Sequence, residues 1–269
     1  MKNSSPVSPQ GVAGLFLGGN MSGHSKWSTI KRKKEKADAA RGRLFTRLIK
    51  ELTIAARQGG GDESANPRLR AAIMAAKAAN MPAANIERAI KRGTGELPGV
   101  QYEEVVYEGY GPGGTAIYLE VLTDNKNRTV AEIRHLLSKH GGSLGENGSV
   151  AWMFKKVGII TVPASATNED DLMMATLDAG VEDIELDGEE FRLTTSVADL
   201  EAVKKALEDA GIPYERAEVT MEPTTTVKVE GKAAESLLKL MDALEEHDDI
   251  QNIYSNFDID DSLIEALNS

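Results

Sequence analysis

Apolar residues recur every three to four positions in three stretches near the start of the chain, which is the spacing of helices with one buried face. The first stretch covers residues 39–58 and ends at three glycines, and the second covers residues 66–80. The third starts at Pro82 and is predicted to stop at Gly93, because glycine is common at helix ends. Residues 39–93 are therefore predicted to form a three-helix bundle.

Beyond residue 95 the pattern changes to short apolar runs separated by Gly, Pro and Asp, which is typical of strands alternating with helices. The predicted strands are 104–107, 116–122, 150–154, 159–162, 181–186, 191–195, 214–221, 225–229 and 250–258. The predicted helices are 128–140, 170–177, 198–210 and 233–244. Within this series, residues 155–224 have the order β-α-β-β-α-β, which is the ferredoxin-like signature.

These patterns predict a multi-domain α and α+β protein, with an N-terminal three-helix bundle and two α+β domains, one ferredoxin-like and inserted in the other. The expected domains are a basic helical domain (21–95), a discontinuous α+β domain (96–154 and 225–269) and the inserted domain (155–224). Residues 1–20 are rich in Ser, Pro, Gly and Asn and are expected to be a disordered extension, with Met21 as an alternative start.

Composition alone describes an ordinary globular chain: 269 residues, 41% hydrophobic, 27% charged and a net charge of −11. The absence of cysteine excludes disulfide scaffolds and thiolate chemistry. The net charge averages two opposite parts, because residues 21–95 carry 17 Lys and Arg against 6 Asp and Glu, whereas residues 96–269 carry 13 against 36. A basic module joined to an acidic remainder favours a polyanion partner for the basic part.

Cations are dense in the segment before the first helix and then recur on the helix faces opposite the apolar positions. Such cations release counterions from nucleic acid phosphates and give affinity without sequence choice. A solvated arm is the alternative interpretation of the first segment. The candidate nucleic-acid-binding residues are Lys26, Lys31, Arg32, Lys33, Lys34, Lys36, Arg41, Arg43, Arg47, Lys50, Arg57, Arg68, Arg70, Lys91, Arg92, Lys126 and Arg128. Of these, Arg43, Arg47, Lys50 and Arg57 are expected on the outer face of the first helix.

The last two candidates lie in a polar loop, residues 123–128, that leads into a helix. One interpretation is a turn with Asn127 as the helix N-cap. The other is that Lys126 and Arg128 extend the basic surface, and both roles can coexist.

No catalytic, metal or cofactor site is expected. Gly109, Gly111 and Gly114 match G-x-G-x-x-G, but a strand follows them where a dinucleotide fingerprint needs a helix, so a hairpin turn is favoured. His135 and His140 are five apart on one helix and diverge. No nucleophile and base stand in a recognisable arrangement, and no run is long and apolar enough to span a bilayer.

The ferredoxin-like order invites an RNA-recognition interpretation, but the sequence opposes it. The basic-Gly-aromatic RNP1 pattern is missing, and residues 155–224 carry 6 basic against 17 acidic residues, which repel phosphate. Solubility or a protein partner on the acidic domains is the better interpretation.

Several long motifs closely resemble the YebC/PmpR family over residues 21–269. They are GHSKWSTIK (23–31), RGRLF (41–45), NPRLR (66–70), NMP (80–82), YEGYGPGG (107–114), LTDNKNRT (122–129) and KHGG (139–142). The resemblance implies a cytoplasmic, non-enzymatic protein with a helical bundle and two α+β domains. It also implies DNA-binding transcriptional regulation, or alternatively ribosome-associated translational activation through ribosomal RNA that relieves stalling. A protein-interaction adaptor is a further alternative.

Overall fold

The computed structural model describes the backbone of residues 37–260 and the side chains of residues 41–260. The helices are α1 Ala37–Gly59, α2 Pro67–Ala78, α3 Ala83–Thr94, α4 Lys126–Lys139, α5 Glu169–Thr176, α6 Leu200–Asp209 and α7 Gly231–Glu245. The strands are β1 Glu103–Tyr110, β2 Ala116–Thr123, β3 Ser143–Leu144, β4 Phe154–Pro163, β5 Val181–Asp187, β6 Glu190–Thr195, β7 Arg216–Pro223, β8 Val227–Lys228, β9 Ile250–Ser255 and β10 Phe257–Asp258.

This arrangement confirms the predicted fold class, a helical bundle followed by mixed α+β domains. The predictions for residues 1–20 and for Lys26 to Lys36 lie outside the described residues. The described chain divides into two compact units, one formed by residues 159–218 and the other by the described residues before and after them.

Helices α1, α2 and α3 pack around an apolar core that includes Leu52, Leu69 and Ile73. The predicted stop at Gly93 is wrong, because α3 continues to Thr94 and the left-handed residue at its end is Gly95. Gly93 instead allows α3 to approach α1, since a Cβ there would lie only 2.3 Å from the carbonyl oxygen of Thr53.

The same unit contains a four-stranded sheet in the order β3-β1-β2-β9, whose inner face packs against α4 and α7. The predicted single strand 250–258 is two strands, because Asn256 interrupts it and accepts the Ala116 N–H through its side chain at 2.7 Å. After that break, β10 leaves the large sheet and pairs in parallel with β8.

Two further boundaries differ from the sequence prediction. Residues 150–154 are not a strand: Ala151–Met153 form a 3-10 turn, and β4 begins at Phe154. Helix α4 is capped by Asn125, whose side chain accepts the Arg128 N–H at 3.1 Å, so Asn127 lies inside the helix and is not its N-cap.

The inserted segment has the strand order β5-β6-β4-β7, with α5 and α6 following the first and third strands along the chain. This is the connectivity expected for the ferredoxin-like arrangement. Its core contains Ile160, Leu172 and Leu193. Among residues 37–260, no helix is long and apolar enough to cross a membrane.

Candidate nucleic-acid interface

Three exposed cations of α2 and α3 have charged groups that no ion pair engages within the described part of the chain. They are Lys77, Arg88 and Arg92. Arg88 and Arg92 are four residues apart on α3 and therefore lie on one side of that helix. Lys77 and Arg88 were not among the predicted binding residues, although their polar positions on amphipathic helices could have identified them.

Arg41, at the start of the described side chains, is also exposed. Its guanidinium lies over the ring of Phe45 at 5.4 Å from the centroid, within the range of a cation–π contact. The charge stays at the surface, so Arg41 can still meet a phosphate. Arg43, two residues later in the same helix, is half-buried.

Other predicted cations of the bundle are already held by local partners. Lys91 pairs with Glu87 at 2.6 Å on the surface of α3. Arg70 donates to the carbonyl oxygens of Glu63 and Ser64 at 3.0 and 2.7 Å. Both are at the surface and lose little by exchanging these weak partners for a phosphate.

Arg68 has more hydrogen-bond and ion-pair partners than Lys91 or Arg70. It donates two hydrogen bonds to Glu51, at 2.6 and 2.9 Å, and forms an ion pair with Glu104 of β1 at 2.6 Å. The hydrogen bonds to Glu51 raise the pKa of Arg68, even though partial burial lowers it. Arg68 therefore connects α1 and α2 to the first strand of the sheet.

The basic stripe of α1 faces the α+β domain. Arg57 donates to the carbonyl oxygens of Tyr102 and Val100 at 3.1 and 3.5 Å, and Arg47 donates to the carbonyl oxygen of Glu245. The prediction that this stripe forms the outer face of the helix is therefore wrong for Arg47, whereas Arg57 stays exposed while it makes these hydrogen bonds. These cations do lie opposite the apolar stripe of the helix, but that surface can face a second domain as well as solvent.

The prediction that Lys50 lies on the outer face of the helix is also wrong, because only 6% of Lys50 is exposed. Its ammonium donates to Asp249 at 2.6 Å and to the carbonyl oxygen of Asp248 at 2.8 Å. An ammonium buried in an ion pair is not available to a phosphate. Lys50 thus joins the bundle to the loop before β9.

Asp249 gathers several donors from both sides of this contact. Its second oxygen accepts from Thr129 at 2.7 Å and from Arg128 at 2.8 Å. Burial raises the pKa of Asp249, but the hydrogen bonds from Lys50, Thr129 and Arg128 outweigh it and hold the pKa well below its usual range. Arg128 also pairs with Asp124 at 2.8 Å.

Lys126, the other cation of that loop, pairs with Glu103 at 2.5 Å at the surface. The loop therefore combines helix capping by Asn125 with ion pairs inside the domain. Arg128 is occupied by Asp124 and Asp249, whereas Lys126 keeps an exposed charge.

Three potential metal ligands also meet here: ligand atoms of Glu132, His247 and Asp249 lie within 4.8 Å of one another. The surrounding contacts oppose a cation. His247 Nδ1 accepts the Asp249 N–H at 3.1 Å, which leaves Nε2 to donate to Glu132 at 3.0 Å. Lys50 and Arg128 already neutralise Asp249, so the cluster stabilises the domain contact.

Comparison with known proteins matches nearly all of the described chain. A model of the TACO1/YebC N-terminal domain matches residues 25–96, and a model of the TACO1/YebC second and third domains matches residues 102–257.

Curated relatives and a solved structure are similar over most of the chain. A probable transcriptional regulatory protein of Chlorobaculum tepidum is 61% identical over 92% of this chain and 99% of its own. Another, from Desulforapulum autotrophicum, is 59% identical over 92% of this chain and all of its own. The crystal structure of a conserved hypothetical protein from Aquifex aeolicus is 47% identical, with a TM-score of 0.77 over 88% of this chain and 98% of its own.

Proposed function

The chain belongs to the TACO1/YebC family, and from this premise we propose that it is a nucleic-acid-binding regulator of gene expression without catalytic activity. The phosphates of the nucleic acid backbone contact the basic helical domain, while the acidic α+β domains orient the molecule or contact a protein. The proposed site of action is the cytoplasm.

The exposed cations Lys77, Arg88 and Arg92 carry this proposal. They belong to a segment, residues 21–95, that contains 17 basic residues and 6 acidic ones. A face meant only for solvation normally mixes both signs. Lys50, Arg68 and Arg128, whose ion pairs connect separate elements of the fold, are left out of the proposed contact surface. Lys91 is included, because its pair with Glu87 lies at the surface of one helix. The proposed surface therefore contains Arg41, Lys77, Arg88, Lys91 and Arg92 together with the basic segment from Lys26 to Lys36.

Charge reversal at Arg88 and Arg92 tests the surface. Each phosphate contact contributes about 0.9 to the slope of log affinity against log salt, so the Arg88→Glu/Arg92→Glu variant should bind more weakly and with a slope smaller by about 2. The loss should be the same for unrelated sequences, because phosphates carry no sequence information. Lys205→Glu/Lys228→Glu is the matched control, since it applies the same charge change to exposed lysines of the acidic domains. Equal affinity and slope in both variants would refute the proposed surface.

The basic segment is tested separately. Changing Lys31, Arg32, Lys33 and Lys34 to Glu should weaken binding uniformly and flatten the salt dependence further. If this variant titrates like the unaltered protein, the segment is a solvated arm.

We propose DNA as the physiological target, because curated relatives of 59–61% identity are named probable transcriptional regulatory proteins. Promoter footprinting compared with ribosome sedimentation from the same cells tests this choice. A footprint that disappears in the Arg88→Glu/Arg92→Glu variant supports regulation on DNA. Co-migration with ribosomes and no footprint would replace it with translational regulation on ribosomal RNA, and a complex that survives nuclease would indicate a protein adaptor.

A further inference from the structure

An aromatic ring stands at the surface of the α+β domain, far along the chain from the basic bundle. Trp152 is 70% exposed, although tryptophan is usually well buried. It lies in the 3-10 turn Ala151–Met153, which leads into β4. The preceding residues of its loop are polar, Glu-Asn-Gly-Ser at 146–149.

One buried carboxylate accepts hydrogen bonds from the backbone of the turn that contains Trp152. Glu108 is 5% exposed and accepts the backbone N–H groups of Gly148, Val150 and Ala151 at 2.6, 2.7 and 2.8 Å. Hydrogen bonds to an ionised acceptor are among the stronger ones in proteins. The backbone on the N-terminal side of the tryptophan is therefore fixed.

The ring itself is also anchored. Its Nε1–H donates to the carbonyl oxygen of Ser149 at 3.1 Å, so its one polar group is satisfied within the turn. On the C-terminal side, Phe154 is buried in a small cluster with Ala116 and Val150. What remains for a ligand is the π face of a ring that loses little freedom on binding.

Positive charge follows Trp152 three and four residues later in the sequence. Lys155 and Lys156 are both exposed at the start of β4, within four residues of Trp152. An aromatic platform beside cations is the combination by which proteins bind unpaired nucleotides: the ring stacks on the base and the cation meets the phosphate.

We propose that Trp152 stacks on a single unpaired nucleobase and that Lys156 contacts an adjoining phosphate. This inference rests on the proposed function and adds to it a preference for nucleic acid with at least one unpaired base. A protein ligand is the less favoured occupant, because interface tryptophans are centres of packed, water-excluding patches, whereas residues 146–149 and 155–156, before and after this turn in the sequence, are polar or glycine.

Tryptophan fluorescence reports on this contact. Trp27 is the other tryptophan of the chain, so the full-length Trp27→Phe variant leaves Trp152 as its single tryptophan, which is excited selectively at wavelengths that tyrosine does not absorb. The probe is a single strand of about a dozen nucleotides, within the site sizes known for such binding. Stacking should quench the emission at saturation, and ribose and deoxyribose versions of the probe distinguish RNA from DNA as the source of the base.

A matched pair of probes separates base from phosphate. A strand of the same length with abasic residues keeps every phosphate and offers nothing to stack on. Trp152→Ala should lower affinity for the normal strand about tenfold and leave affinity for the abasic strand unchanged. Lys156→Ala should weaken binding of both strands equally.

Two substitutions at the same position test the aromatic character. Trp152→Phe keeps a π face and should retain most of the affinity, whereas Trp152→Leu keeps an apolar side chain and should behave like Trp152→Ala. Since Trp152 is exposed, all three variants are expected to fold, and thermal unfolding verifies this.

The outcomes distinguish this inference from the proposed function. If the unaltered protein binds neither strand, the proposed function itself fails. If it binds both strands but Trp152 emission is unchanged and Trp152→Ala binds like the parent, the stacking site is refuted while the phosphate surface stands. The stacking site would also be refuted if Trp152→Ala lost the same affinity for the abasic strand as for the normal strand.

Discussion

Lys50 Nζ lies 2.6 Å from Asp249 Oδ1, and both side chains are less than a tenth exposed. One residue belongs to α1 of the bundle and the other directly precedes β9 of the α+β sheet. Because the ion pair is shielded from water, it is screened much less than a surface pair. It therefore ties the basic module to the acidic domain within one compact unit.

Removing one partner of this pair should destabilise the protein strongly. Lys50→Met leaves the Asp249 carboxylate buried without its ammonium, and breaking a buried pair in this way costs about 3–5 kcal/mol. Arg128 and Thr129 still donate to Asp249, so we expect the lower end of that range. Urea unfolding followed by circular dichroism measures the loss.

The control for this variant is Lys205→Met, which removes an exposed pair with Asp209 on α6. Exposed pairs contribute little to stability because water screens them, so the control should unfold close to the parent. The Lys50→Met/Asp249→Asn double variant should lose less than the sum of the single losses, since it leaves no unpaired charge. Additive losses would contradict direct coupling.

Stability should fall at acid pH partly through Asp249. The pKa of this carboxyl is lowered in the folded protein, because the donors Lys50, Thr129 and Arg128 outweigh the opposing effect of burial. Its contribution is therefore complete above the unfolded pKa near about 4 and is lost as the pH falls below that value. Asp124, through Arg128, and Glu132, through His247, are further acids that face the site.

The Asp249→Asn variant tests this assignment. Its unfolding free energy should depend less steeply on pH below about pH 4 than that of the parent protein. Burial raises the pKa of Glu108, but its three backbone donors outweigh this effect and lower the pKa, so Glu108 should contribute to the slope that remains. If the unfolding free energies of the two proteins changed with pH in parallel, Asp249 would have the same pKa in the folded and unfolded states.

The periodic helices and most strands of this fold could be predicted from sequence, because each has a buried face that repeats along the chain. The 3-10 turn at Ala151–Met153 could not, since its apolar residues are indistinguishable from a short strand. What decides its conformation is Glu108, more than forty residues away in sequence. Local patterns do not report such a long-range acceptor.

The candidate binding residues could likewise be predicted only in part from the sequence. The sequence correctly identified the basic character of α1 to α3 but not which cations stay exposed. Lys50 and Arg92 occupy similar polar positions on amphipathic helices, yet one is buried against Asp249 and the other faces solvent. That difference depends on how the bundle packs on the α+β domain, which helix periodicity does not contain.

Glu108 should be essential for the turn that presents Trp152. In Glu108→Gln the amide has one acceptor oxygen, so its NH2 group must face at least one of the three backbone donors. Leaving a buried donor unsatisfied costs about 1–3 kcal/mol. The loss should appear in urea unfolding, and the fluorescence anisotropy of Trp152 should fall in the Trp27→Phe background. Glu146→Gln, in the exposed part of the same loop, is the control, and equal behaviour of the two variants would contradict the role given to Glu108.

Two glycines of the bundle should respond oppositely to the same substitution. Gly93→Ala places a methyl group 2.3 Å from the Thr53 carbonyl oxygen and 2.8 Å from the Ala56 Cβ, so α1 and α3 must separate, at a cost of about 1–3 kcal/mol. Gly42→Ala in α1 meets nothing within 4 Å and should stabilise the helix by about 0.5–1 kcal/mol, because glycine loses more backbone entropy on folding. Thermal unfolding of both variants measures the two effects. Tolerance of Gly93→Ala would contradict the close contact between α1 and α3 at Gly93, and destabilisation by Gly42→Ala would contradict the open space around Gly42.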